Sequence, residues 1–388
     1  MRRPVSAVSP GRGGSGQRTA LDLAIEKALL CTLHADSGAF DRLPVPIRLR
    51  AAGAVQAWRD ARRIAGPHGV AFRSAVADPA YRPDLLCNPL AELAGGHGTA
   101  RFDQETNARI ADACADSVFV QAFWERNGVL YEPTPALHRL LHTSDIAADV
   151  PLHMMCPSVP ALFIIPDRAS WRDGEVEAIA VFTHGRWKND APAPGRVLSF
   201  VTWRRWVHPE PSWAMGVVNL AVPEDNRTIS QALDLAALTP PQRGPAISRE
   251  QARAEWLPTL DYVAKMLLYL SLDDVPVQLD LAYSAAPRVF SGLGRRKREL
   301  RQAEIEQLYD RYVVGPTQIA NWSGAHSEEI AGHSHLPAHW RRGHLRMQAH
   351  GPRSSLRKIM LIRPTLVRAD RLEAGSTPAP RPIHANPP

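Results

Sequence analysis

Between Val159 and Val222 the chain carries four β-rich runs, Val159–Ile165, Val176–Thr183, Val197–Trp206 and Met215–Val222, with Gly, Pro and Asp between them. The first is continuously apolar and ends at Pro166, the pattern of a buried strand. Short β runs spaced by turn residues pair most readily with their sequence neighbours. An antiparallel meander of about four strands is therefore expected here. This block limits the fold more than any other feature, because a sheet of that size needs helices to cover it.

Helical spacing supplies them on both sides. Leu21–Leu33, Ile47–Ile64, Asn107–Phe123 and Ala136–Leu141 read as helices before the sheet. Ser230–Leu238, Ser248–Trp256, Leu257–Leu272 and the charged segment from Arg295 to Asp310 read as helices after it. Asp78–Gly98 is broken by Pro and Gly, and Thr183–Lys188 reads as a hairpin turn. The expected class is α+β: an α-rich N-terminal region, an antiparallel sheet with covering helices, and a C-terminal β-hairpin. Residues 1–17 and 371–388 are expected to be disordered, with a helical region over 18–150 and an α+β domain over 151–370.

The hairpin is the segment with chemical content. Its arms are His344–His350 and Leu356–Val367, around Gly351–Ser355. From Ala331 to Ala369 there are eight Lys or Arg, five His and no Asp or Glu. One sign of charge builds a local positive potential that attracts anions. The whole chain has a net charge of +7, which points the same way. Arg341, Arg342, Arg346, Arg353, Arg357 and Arg363 offer planar, bidentate donors, and Trp340 offers a stacking face. Gly343 allows a turn or a close backbone approach. The candidate binding residues are Trp340, Arg341, Arg342, Gly343, His344, Arg346, Arg353, Arg357 and Arg363.

Other chemistry is thin. His339 and His344 lie five apart with no Cys, Asp or Glu nearby, so no metal site is expected. With Arg341 and Arg342 they form a candidate acid–base set for RNA cleavage, which leaves a metal-independent endoribonuclease as one alternative. A general RNA- or DNA-binding accessory protein is another. Trp203-Arg204-Arg205-Trp206 reads first as edge-strand packing, and Arg295-Arg296-Lys297-Arg298 as a solvated helix face. Gly292-Leu293-Gly294 has too few glycines for a phosphate loop, and no cofactor motif is present. The four cysteines, Cys31, Cys87, Cys114 and Cys156, form no CxxC pair and read as buried thiols of a reducing compartment. Leu257–Leu272 carries Asp261 and Lys265 and is too short for a bilayer. A cytoplasmic protein with no membrane contact is expected.

His339-Trp340-Arg341-Arg342-Gly343-His344, a short spacer and a hairpin closing on Pro364-Thr365-Leu366-Val367 resemble the C-terminus of the second type V-A anti-CRISPR family, the one acting on effector biosynthesis. Val159–Asp167, Ala264–Asp274 and Tyr312–Gly315 resemble further blocks of that family. The likeness runs in scattered blocks from about 150 to 367 and is specific at Arg341–His344. It implies a mobile-element inhibitor without catalytic cofactor. Such an inhibitor recognises the nascent N-terminal polypeptide of a CRISPR nuclease and causes loss of its mRNA during translation. The implied partners are a nascent polypeptide and/or RNA, in association with the ribosome. Arg341, Arg342, Gly343 and His344 carry over, with His339 and Trp340. The N-terminal region is longer than the family's.

Overall fold

The computed structural model describes residues 19–35, 39–40, 42–87, 90, 104–166, 176–188, 191–206, 212–222, 227–237, 248–317, 339–363 and 365–367. The stretches 1–17 and 371–388, expected to be disordered, lie outside them. The contacts divide the chain into two compact units. One comprises residues 1–129, 159–163 and 281–311. The other comprises residues 130–158, 164–280 and 312–388.

The first unit is mainly helical. It contains α1 (Ala20–Ala35), α2 (Val45–Ala51), α3 (Ala54–Ile64), α4 (Pro67–Ala77), α5 (Gln104–Glu125) and, later in the chain, a helix over Arg295–Glu306. The expected single helix over Ile47–Ile64 is two helices. Gly53 has φ +80° and its N–H donates to the Arg50 carbonyl, so it ends α2 in the left-handed conformation that glycine adopts without strain. Trp58 is buried and donates from Nε1 to Thr32 Oγ1 at 3.1 Å. Phe123 and Phe163 meet edge to face at 4.8 Å. Three arginines, Arg48, Arg62 and Arg126, are also buried here. Arg126 donates to the carbonyls of Val76 and Tyr81, and Arg62 pairs with Glu125. Burial pushes both guanidiniums down to about 10.

A seven-stranded sheet holds β1 (Val129–Pro133), β3 (Ala161–Ile164), β4 (Val176–Lys188), β5 (Ala191–Trp206), β6 (Ser212–Val222), β7 (Val277–Leu281) and β8 (Asp310–Val314) in the order β6-β5-β4-β3-β1-β8-β7. The expected meander is present: β4 pairs antiparallel with β5, and β5 with β6. The sheet is not wholly antiparallel, since β1 pairs parallel with β8 through Tyr131↔Tyr312. Thr183–Lys188 is strand rather than turn, and continues β4 to pair with β5 as far as Lys188↔Ala191.

In the second unit α6 (Pro135–His142) follows β1, then β2 (Ser144–Ile146), with α7 (Ile229–Ala237) and α8 (Arg249–Leu270) after the meander. Ser248–Trp256 and Leu257–Leu272, read as separate helices, are joined in α8 across Pro258. An internal proline costs a helix about 3 kcal/mol. The burial of Trp256, Leu260, Val263, Ala264, Leu267 and Leu268 outweighs that cost, and a Ser248–Gln251 capping box fixes the start. The helix over Arg295–Glu306, α9, has its cluster solvated as expected, with Arg295 on Glu299 at 2.8 Å and Arg301 on Glu304 at 2.6 Å. No helix among the described residues is long and apolar enough to cross a membrane.

Gly315 (φ +104°) closes the turn after β8. A Cβ there would lie 2.5 Å from Leu137 Cβ and 2.9 Å from Oγ1 of Thr134, the residue that caps α6. Gly315→Ala is expected to cost about 2–4 kcal/mol, read as a lower urea midpoint with an unchanged slope. No disulfide joins the four cysteines, and burial pushes the Cys31 and Cys156 thiols up. A raised pKa leaves less thiolate at a given pH. At pH near 8 both are expected to react with a disulfide reagent more slowly than the same residues in the denatured chain.

Candidate partner-binding hairpin

Four short strands end the described chain: β9 (His339–Arg341), β10 (Gly343–His350), β11 (Leu356–Ile362) and β12 (Thr365–Val367). β10 pairs antiparallel with β11 from His344↔Ile362 to His350↔Leu356. β9 pairs antiparallel with β12 through Arg341↔Thr365 and His339↔Val367. Both ladders have the same register, so they are segments of one long hairpin. The break falls where the sequence has Pro364, a residue with no N–H for a ladder. The tip is a tight turn in which Gly351, Arg353 and Ser354 all have positive φ.

β10 is held on its other side by β2, which runs parallel to it with Gly343↔Ser144, His344↔Asp145 and Leu345↔Ile146. Gly343 is thus not at a turn. It is buried and opens β10 beside Ser144, so it lies in a strand and the turn reading of this glycine does not hold. Ser144 is itself buried and donates to the Leu140 carbonyl at 2.7 Å.

The pleat separates two faces. Gly343, Leu345, Met347 and Ala349 share one face with Arg357, Ile359 and Leu361. That face is anchored by Leu345, which is fully buried, and by Ile359. His344, Arg346, Gln348 and His350 share the other with Lys358 and Met360. Arg346 is exposed and donates to Gln348 Oε1 at 2.8 Å. Arg357 is exposed at the tip and donates to the Ser354 carbonyl at 3.0 Å. Arg353 is exposed in the turn itself. Arg363 is exposed just past β11, and its charge is felt by Tyr269 near the end of α8, whose hydroxyl burial pushes up and Arg363 pulls back down.

The predicted residues are therefore on one hairpin but not on one face. Arg342 lies 3.5 Å from Asp145 in an exposed pair, which screening makes weak. For Arg346, Arg353, Arg357, Lys358 and Arg363 no carboxylate stands within ion-pair distance among the described residues. His344 is half-buried beside Asp145 in register. His339, Trp340 and Arg341 are placed by backbone on β9, and their side chains lie outside the described residues, as does the candidate acid–base set of His339 and His344. No group of three or more His, Cys, Asp or Glu among the described residues could hold a metal ion.

Sequence reasoning passed over a buried polar row in the meander. His184, read as part of a turn, is buried on β4 with Nε2 2.9 Å from Ser199 Oγ, and Ser199 donates to Asn219 Oδ1. The row links β4, β5 and β6 through side-chain hydrogen bonds. Trp203 of the aromatic–arginine run is likewise buried, but β5 is paired on both sides, with β4 and β6, so the run packs within the sheet and not on the edge strand expected.

The Anti-CRISPR type V subtype A2 family, called AcrVA2-like, matches residues 131–369, more than half of the chain. The chain belongs to the AcrVA2-like family. The AcrVA2-like match opens within β1 and runs just past β12, so the hairpin and the strand that supports it both fall inside. A solved structure described as "Crystal structure of AcrVA2" is similar with a TM-score of 0.41 and 12% identity, over 80% of this chain and 97% of that one. Comparison with curated proteins finds no match.

The two faces of this AcrVA2-like hairpin should respond differently to substitution. Leu345→Ala removes the fully buried anchor and is expected to cost about 2–4 kcal/mol. Arg346→Ala, on the exposed face, should stay within about 0.5 kcal/mol. Chemical unfolding followed by circular dichroism separates the two.

Proposed function

We propose that this chain is an inhibitor of gene expression of the anti-CRISPR type, and that its hairpin docks on a polypeptide as it is being translated, bringing about loss of the message. One observation carries the reading. The hairpin cations Arg346, Arg353, Arg357, Lys358 and Arg363 are exposed and have no acidic partner among the described residues. A surface that solved only the folding problem would mix both signs of charge. Leu345 and Ile359 serve folding, while the exposed cations, which stand on both faces and at the tip, are free of that task. Family membership supports an inhibitor of this class. Flexible cations around a rigid two-stranded stalk also suit capture of an unfolded chain, because the stalk itself loses no order on binding.

The test separates peptide from RNA. The chain is co-expressed with a reporter that opens with the first codons of a type V-A nuclease. A second reporter has those codons recoded synonymously, and a third has them shifted in frame. The message is expected to fall for the first two, which share a peptide, and to persist for the third, which shares the RNA with the first. Arg346→Ala combined with Arg353→Ala should restore the message without unfolding the protein. Loss of the frame-shifted message would overturn peptide recognition. RNA cleavage by the purified protein alone would move the reading to an endoribonuclease.

A further inference from the structure

The three-stranded sheet has the order β11-β10-β2, so β11 is an edge strand. The direction of its backbone groups follows from one hydrogen bond. The Leu345 carbonyl accepts from Ala147 N at 2.8 Å, on the β2 side of β10. In a strand the N–H and C=O of one residue point the same way, and antiparallel neighbours alternate between bonded and unbonded pairs. Leu345 is therefore unbonded to its neighbour Leu361. It follows that Leu356, Lys358, Met360 and Ile362 turn their backbone groups toward β10. Arg357, Ile359 and Leu361 turn theirs outward, and no described residue takes them up.

Edge strands are ordinarily closed to further pairing by a proline, a bulge or a cover. β11 has no proline or bulge within its ladder, which pairs seven consecutive residues with β10 without a shift, and no described strand covers its outer edge. Among the described residues its protection is charge. Arg357 and Lys358 stand exposed at one end, followed by Ile359, Met360, Leu361 and Ile362. Adjacent cations disfavour a second copy of this edge and favour a strand bearing carboxylates. On the reading that the hairpin meets a polypeptide, we propose that an extended acidic peptide adds to β11 as a fourth strand. Its main chain would bond the outward groups of Arg357, Ile359 and Leu361. Its acidic residues would lie against Arg357 and Lys358, and apolar residues against Ile359–Ile362. Strand addition reads shape and charge together, with affinity from the main chain and selection from the side chains.

The experiment is amide hydrogen exchange at single-residue resolution on the full chain. In the free protein the Arg357, Ile359 and Leu361 amides should exchange fast, while those of Lys358, Met360 and Ile362 are protected by β10. The probe is a short synthetic peptide with two adjacent glutamates followed by alternating valine and threonine. It should slow the three fast amides and leave the others as they were. Charge reversal at both cations (Arg357→Glu with Lys358→Glu) should weaken binding about tenfold, and a peptide with lysines in place of the glutamates should restore it. Strand addition is overturned by fast amides that stay fast with peptide. It is equally overturned by protection from oligouridylate instead of peptide, or by protection that rises with protein concentration alone. If the in-frame reporter message is lost while these amides stay unprotected, strand addition fails and the nascent-chain reading stands. If the amides are protected while the reporter is untouched, the nascent-chain reading fails instead.

Discussion

β10 is hydrogen-bonded on both edges, parallel to β2 on one side and antiparallel to β11 on the other. An isolated two-stranded hairpin is marginal in water. The third strand and the buried Leu345 side chain make this one part of its unit rather than a loose arm. The same arrangement decides which groups are left over. With one edge of β10 given to Ser144–Ile146, β11 is the arm of the β10–β11 pair whose outer edge is left unpaired among the described residues. With one face given to Leu345 and Ile359, only the other presents Arg346, Gln348 and Lys358. Support and display are thus two sides of one constraint.

Much of this was legible in the sequence because it depends on local patterns. The meander announced itself through runs of β-branched and aromatic residues with clear punctuation, and the hairpin through two arms about a Gly-Pro pair. What failed depended on tertiary context. Pro258 is locally a helix breaker, yet the buried residues around it carry α8 through. Gly53 sits among alanines and arginines that all favour helix, so only its positive φ reveals the break. His184 follows a threonine and precedes a glycine, which imitates a turn, while its long-range partner Ser199 keeps it in a strand. β2 is three residues long, too short for any period, although it is the strand on which the hairpin rests.

The candidate site divides in the same way. Its identity could be read from the missing carboxylates between Ala331 and Ala369. Its geometry could not, because the face on which each arginine lies follows from the register with β11 and β2. Arg342 and Arg346 share a side that Arg357 does not, and the charge of Arg363 is felt by Tyr269, some ninety residues earlier in the chain. Asp145, the acidic residue that reaches Arg342, lies outside the carboxylate-free stretch altogether.

The common register of the two ladders restricts how such a stalk can change length. Losing one residue from a single arm would exchange inward and outward side chains beyond that point, moving Leu345 into water or Arg346 into the interior. Lengthening or shortening therefore has to occur in both arms together and in steps that preserve the pleat. Descendants of this chain can alter the reach of the hairpin in coarse increments while the chemistry it presents remains on the same side.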